Sequence, residues 1–268
     1  MNILDQIIAA KRAEIARLKP LSPLSRFEQK GFFWNIPNRS LKFSLLAEGS
    51  TGIIAEFKRK SPSKGWFKKK ELEVEPVVVP YSDLGAAGIS VLTDLEFFGG
   101  DLDDLIQTKV VADVPVLRKD FIIDEWQIAE TKAFGGDVIL LIAACMKPSE
   151  VKHLATVAKG LGLEVLLEIH NEEELDHICD EVDLVGVNNR DLKTFAVDFN
   201  RSITLGKYIP ADKVKISESG ISDPSAIILL KENGFSGFLI GETFMKEENP
   251  AFAFAGFVNQ LKAKQHED

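Results

Sequence analysis

From Gly52 onward, short apolar runs rich in β-branched residues return at intervals of roughly 20 to 35 residues, about the length of one βα unit. They extend from Gly52 to Lys58, Gly88 to Leu92, Pro115 to Lys119, Asp137 to Ile142, Glu164 to Glu168, Leu184 to Asn188, Val214 to Ser217 and Gly237 to Ile240. Helical patterns fall between them, at Glu125 to Ala133, Ser149 to Gly160, Asn171 to Cys179 and Pro224 to Asn233. Asp223 before Pro224 reads as a helix start, and Gly160 and Gly234 read as helix stops. Eight such units within 268 residues predict the α/β class and a (β/α)8 barrel of the TIM type. An open doubly wound sheet would need fewer strands and a glycine-rich phosphate turn after the first, which this chain lacks.

Ahead of the repeats, Ile3, Leu4, Ile7, Ile8, Ile15 and Leu18 mark a helix ending before Pro20, and a second helix is expected near Ser40 to Glu48. Residues 1–50 are therefore expected to form a helical extension packed on a barrel of residues 51–268, the whole being a single domain.

In a barrel of this kind chemistry collects where strands run into the loops that follow them. Here those ends carry Glu56 and Lys58, Thr93 and Asp94, Lys119 and Asp120, Glu168, then Asn188, Asn189 and Arg190. Glu218, Ser219 and Gly220 end the seventh run, Gly241 and Glu242 the eighth. Alternation places Ile54, Glu56 and Lys58 on one face of the first strand and Ile53, Ala55 and Phe57 on the other. Alone, Glu56 and Lys58 would be an ordinary strand-end ion pair of little worth. The next loop adds Lys60, Ser61, Ser63 and Gly65, with hydroxyls, positive charge and backbone freedom suited to a phosphate. Polar groups at so many converging ends point to a built pocket. Arg118 alternates away from that mouth toward the helices, without an identifiable partner.

A formal charge of −9 and a pI of about 5.1 argue against a nucleic-acid partner. Cys145 and Cys179 have neither disulfide nor metal-site spacing and read as core residues, so no metal is expected. The N-terminus has an early acid and no long apolar stretch, so neither a leader nor a membrane span is expected and the protein is predicted to be cytoplasmic. His153 and His170 read as polar surface. No second enzyme is expected to be fused to the barrel, and a monomer is compatible with the sequence.

Seven blocks resemble the indole-3-glycerol phosphate synthase family of tryptophan biosynthesis, in order and across nearly the whole chain. They are Ile54-Ala55-Glu56-Phe57-Lys58-Arg59-Lys60-Ser61-Pro62-Ser63, Ile89-Ser90-Val91-Leu92-Thr93-Asp94, Leu117-Arg118-Lys119-Asp120-Phe121-Ile122 and Leu167-Glu168-Ile169-His170. The remainder are Gly186-Val187-Asn188-Asn189-Arg190-Asp191-Leu192, Ser217-Glu218-Ser219-Gly220-Ile221 and Leu239-Ile240-Gly241-Glu242. The resemblance implies a carboxy-lyase without cofactor or metal that acts on a phosphorylated small molecule, 1-(2-carboxyphenylamino)-1-deoxyribulose 5-phosphate. Ring closure, decarboxylation and dehydration would give indole-3-glycerol phosphate.

By position in these blocks, Lys119 is the implied general acid for closure. Lys58 is implied to lie near the substrate carboxylate and is a candidate acid for dehydration; which lysine serves which step stays open. Glu168 is the implied base, and Glu56 either holds Lys119 or stabilises the cationic intermediate. Asn188 and Arg190 resemble the family's substrate-positioning pair, one for a hydroxyl or amine and one for the anthranilate carboxylate or a loop carboxylate, Arg190 offering a planar fork to a carboxylate. Glu218 and Ser219 match a pair beside the substrate hydroxyls. Phe98 and Phe121 fall where apolar walls hold the aromatic ring. For the phosphate the expected partners are Ser61, the main-chain N–H groups of Gly220, Gly241 and Glu242, and the loop lysines; the Glu242 side chain is expected to turn away. An isomerase of the phosphoribosylanthranilate type is disfavoured because it would place a cysteine where this chain has Glu56. A Schiff-base aldolase using Lys119 covalently and a non-catalytic binding barrel are the other rivals.

Overall fold

The computed structural model describes residues 3–190 and 196–265, so Asp191 and Leu192 of the resembling blocks lie outside the described residues. Among these residues eight parallel strands close into a barrel: β1 (Ile53–Phe57), β2 (Gly88–Leu92), β3 (Val116–Lys119), β4 (Val138–Ile142), β5 (Glu164–Ile169), β6 (Leu184–Asn188), β7 (Val214–Glu218) and β8 (Gly237–Ile240). Closure is made by β8 on β1, with Ile53 opposite Phe238 and Ala55 opposite Ile240.

Both faces of each strand are covered, and so β4 reads Val-Ile-Leu-Leu-Ile without a polar side chain. Alternation divides the apolar residues into two sets. Ile54, Leu117, Leu140, Leu166, Leu184, Ile216 and Leu239 form one cluster inside the ring. Ile53, Ala55, Phe57, Ile139, Leu141 and Val165 belong to another, shared with the surrounding helices.

The α-helices of six residues or more are α1 (Ile3–Leu18), α2 (Leu24–Lys30), α3 (Leu41–Leu46), α4 (Glu75–Asp83), α5 (Leu102–Val111), α6 (Glu125–Ala133), α7 (Pro148–Gly160), α8 (Phe199–Gly206), α9 (Pro224–Glu232) and α10 (Pro250–Gln265). Three of them precede the barrel and hold to it differently. Lys11 of α1, only 3% exposed, lies 3.0 Å from Asp94 and 3.1 Å from Asp120 at the strand ends. Phe27 of α2 packs on Trp126 of α6 with ring centroids 5.5 Å apart. Helix α3 sends Leu41 and Leu45 into the inner cluster at the N-terminal end of the strands, where Gly88 and Gly237 leave room for them. Glu164 at the start of β5 accepts hydrogen bonds from the N–H groups of Leu41 (2.7 Å) and Lys42 (3.0 Å), satisfying donors that the first turn of α3 leaves free. This helix is shorter than the expected Ser40 to Glu48 because Ser40 is its N-cap, accepting from Phe43 N–H, and Ala47 is extended.

One other expectation of secondary structure differs. The segment expected as a helix from Asn171 to Cys179 is a 3-10 turn, Glu172–His177, drawn tight by the Glu174 carboxylate, which accepts from His170 N–H (2.7 Å) and Asn171 Nδ2 (3.0 Å). Helix α4 forms despite Pro76 and Pro80 because Val77, Val78 and Tyr81 are buried, the last beside Phe254 and Phe244. Arg118 does have partners: Asp120 at 3.0 Å and Glu130 at 2.9 Å. His170 is not surface but buried, and Cys145 and Cys179 are half-buried rather than fully enclosed. No helix among the described residues is long and apolar enough to cross a membrane.

Candidate active site

The same period of two that buries Ile54, Leu117, Leu166, Leu184 and Ile216 continues to the strand ends. It brings Glu56, Lys119, Glu168, Asn188 and Glu218 inward at the mouth. Lys119 sits between two carboxylates, with Nζ 3.2 Å from Oε2 of Glu168 and 3.4 Å from Oε2 of Glu218. The other oxygen of Glu168 accepts from Nδ2 of Asn188 (3.1 Å), and Asn188 in turn accepts from Arg190 N–H (3.0 Å). Glu56 is paired with Lys58.

Two mid-strand or strand-end glycines make space for this chemistry. A side chain at Gly186 of β6 would collide with the Glu218 carboxylate, and one at Gly241 would collide with that of Glu56. Ser219 and Gly220 both take left-handed backbone conformations, φ 70° and 81°, folding the chain sharply after β7.

Charge and burial push these groups apart in proton affinity. Burial works against the Lys119 ammonium, but Glu168, Glu218 and Glu56 together hold its pKa above the ordinary lysine range. Burial also opposes the Glu168 carboxylate, yet Lys119, His170 and Asn188 keep its pKa well below the usual carboxylate value. Glu218 goes the other way: burial raises it, Lys119 pulls it down, Glu168 raises it again, and its pKa reaches about 7. One ammonium thus separates an ionised carboxylate from one that holds a proton near neutrality, the pattern expected of groups that divide acid and base work.

Above these groups lies a cavity of about 660 Å³, within the range of small-molecule sites. The individually named site residues line it: Glu56, Lys58, Lys119, Glu168, Asn188 and Ser219; Arg190, Glu218, Phe98 and Phe121; Ser61, Gly220, Gly241 and Glu242. The loop lysines Lys60 and Lys64, expected beside the phosphate, do not, because Lys60 donates to the carbonyl of Glu96 and Lys64 pairs with Glu242. Its lining is mixed. Phe98 and Phe121, with rings 6.0 Å apart and inclined at 38°, and Ile3, Leu4 and Ile7 of α1 supply apolar surface, while Ser61, Ser63, Gly220, Ser222 and Gly241 supply small polar groups, with Lys58 and Lys246 also in the lining.

Pairing inside the site departs from expectation at two places. Of the alternatives for Glu56, contact with Lys119 is not made: Glu168 and Glu218 hold that ammonium, and Glu56 acts on it only through its field. The Glu242 side chain does not turn away. Its carboxylate lies 2.5 Å from Lys64 Nζ and 3.5 Å from Arg190 Nη2, because an anion at the rim is drawn to the cations beside it. His170, Ser222, Lys246 and the α1 residues were absent from the expected site. A period-two count from Glu168 reaches His170, whereas the α1 contacts depend on how the helix docks and leave no local signal.

The sequence profile described as indole-3-glycerol phosphate synthase matches residues 4–256. Similar proteins bearing that name include one from Bacteroides thetaiotaomicron, 47% identical over 97% of this chain and 99% of its own length. Others come from Variovorax paradoxus, 39% identical over 95% of this chain and 98% of its own, and a Polaromonas species, 40% identical over 95% and 97%. With a matching profile over nearly its full length and relatives aligned end to end, the chain belongs to the indole-3-glycerol phosphate synthase family.

Proposed function

We propose that this protein catalyses closure, decarboxylation and dehydration of 1-(2-carboxyphenylamino)-1-deoxyribulose 5-phosphate to indole-3-glycerol phosphate. The observation that carries this reading is the Lys119 ammonium set between Glu168 and Glu218 in a cavity that Phe98 and Phe121 also line. In the first step the ring carbon bearing the carboxylate attacks the ketone carbon while Lys119 gives its proton to the ketone oxygen. The nitrogen lone pair leaves an iminium cation, which the surrounding carboxylates, Glu56 among them, stabilise. Breaking the bond to carbon dioxide returns electrons to the ring. The new hydroxyl then departs as water with a proton from an ammonium, a role that suits Lys58, and Glu168 takes the proton from the adjacent carbon.

Asn188 and Arg190 would hold the substrate amine and carboxylate, with Glu218 and Ser219 beside the hydroxyls. Ser61 and the N–H groups of Gly220, Gly241 and Glu242 would receive the phosphate. A Schiff base at Lys119 is disfavoured because a nucleophilic amine must be neutral, and three carboxylates keep this one protonated. We further infer that residues 1–50 and the barrel behave as a single domain, supported by the distinct anchors of α1, α2 and α3. The deciding experiment is incubation of the purified protein with the substrate while indole fluorescence is followed. Product formation without a borohydride-trappable lysine adduct is expected; a stable adduct, or no indole product, would overturn the assignment.

A further inference from the structure

His170 has no part in the steps above, yet it is a buried ionisable group at the mouth, 8% exposed. It follows Glu168 by two positions, just past the end of β5, and lines the same cavity. Its ring lies between two carboxylates: Nε2 is 3.2 Å from Oε1 of Glu168, and Nδ1 is 3.3 Å from Oε2 of Glu174. The second contact is reinforced from the main chain, since the same Glu174 oxygen accepts from His170 N–H at 2.7 Å. Ring and backbone are thus gripped by one side chain. On the Glu168 side the Nε2–H is out of line with the oxygen and has no aligned hydrogen-bond acceptor among the described residues, so what joins the two is charge.

We propose that His170 is a positioning residue for Glu168: clamped from behind by Glu174, it holds Oε1 of the carboxylate at the strand end and leaves Oε2 directed at Lys119 and the bound ligand. The proposal rests on the reading of Glu168 as the base. A carboxylate free to rotate would offer either oxygen to Lys119. With His170 and Asn188 both on Oε1 and Lys119 on Oε2, the two oxygens are no longer equivalent. Burial opposes charge on the imidazole, but its contacts with Glu168 and Glu174 raise its pKa to about 10. The other titratable groups of this corner are the Cys145 thiol after β4, pushed up to about 12 by burial and then by Glu168 and Glu174, and Asp5 of α1, which acts on the same thiol. Lys119 lies beyond Glu168, and His177 rests on the carbonyl of Glu174.

The test combines a spectroscopic and a kinetic readout on the full chain. With imidazole nitrogens labelled, the His170 resonances, identified among the four histidines by their loss in His170→Gln, should remain those of a doubly protonated ring at pH 8.5. An ordinary imidazole has lost that proton about two pH units earlier. In steady-state assays His170→Gln should lower kcat about tenfold or more with KM held within about threefold, and Glu174→Gln should lower kcat by a smaller factor while bringing the imidazole titration down. A His170 signal titrating near 6.5, or an unchanged kcat in His170→Gln, would overturn the proposal. So would a change confined to KM, which would make His170 a ligand contact. If His170→Gln does not fold, the wild-type titration, assigned through its displacement in Glu174→Gln, decides the matter. Absence of indole product from the wild-type enzyme would instead be a failure of the reaction assignment, seen before any variant is made.

Discussion

Removing the Lys119 ammonium would leave Glu168 and Glu218 confronting each other in a buried site with nothing between them. Lys119→Ala should therefore lower kcat by about 10²- to 10⁴-fold, the range for loss of a positioned acid, while KM changes far less. Glu168→Ala should behave alike, whereas Ser61→Ala should act chiefly on KM; equal kcat and KM effects across the three would contradict the roles proposed.

Glu218 also leaves a mark on stability. Its folded pKa of about 7 exceeds the ordinary 4.5, so the native state binds the extra proton between those values. Its contribution is present below about pH 4.5 and is lost as pH rises through 7. Melting curves should show Glu218→Gln gaining on the wild type between pH 5 and pH 8; a constant difference would refute the shift. At Gly186 an added methyl would meet the Glu218 carboxylate. Gly186→Ala should lower kcat at least tenfold in steady-state assays, and wild-type turnover would show that the carboxylate moves aside.

The positions of these residues were legible because strand ends are visible in sequence. Their pairing was not: which of several carboxylates meets Lys119 depends on angular placement around the ring, which period-two counting does not encode.

At the level of elements, the ordered strands and the long α1 follow from periodicity and are found almost residue for residue. The exceptions are governed by tertiary contacts. Helix α4 carries two prolines and a β-branched run, and it exists because Tyr81, Val77 and Val78 are enclosed. The turn after β5 is 3-10 because Glu174 is recruited backward.

Helix α1 shows how one side chain can decide where an element docks. Lys11 is buried against Asp94 and Asp120, and Asp120 also receives Arg118 and the hydroxyl of Thr93. Burial pushes the Asp120 carboxyl up, but Arg118 and Lys11 bring its pKa down to about 2. Replacing Lys11 by Met leaves those anions short of a buried partner, so a loss of about 3 kcal/mol in unfolding free energy is expected. Because Ile3, Leu4 and Ile7 line the cavity, a raised KM should accompany it. Denaturant melts and steady-state kinetics on the same preparation would check both, and a variant with wild-type KM would show that α1 stays docked without its lysine.

The whole molecule is tied together from both ends of the barrel. The strands' N-terminal end is filled by Leu41 and Leu45, and the opposite end is overlaid by α1, so the first fifty residues touch the barrel at its floor and at its mouth. Unfolding should accordingly be one transition, with tryptophan fluorescence from Trp34, Trp66 and Trp126 coinciding with loss of helical circular dichroism. A chain starting at Thr51 should be insoluble, since Leu117, Leu184 and Ile216 would lose their cover. Two separated transitions, or a soluble truncated barrel, would divide the chain into independent parts.

The Glu242 carboxylate has a last consequence for traffic at the rim. It is shared between Lys64, on the loop after β1, and Arg190, just after β6. An anion that paired with Arg190 would compete with Glu242 for that guanidinium, so what enters the mouth and what holds the loop share one carboxylate.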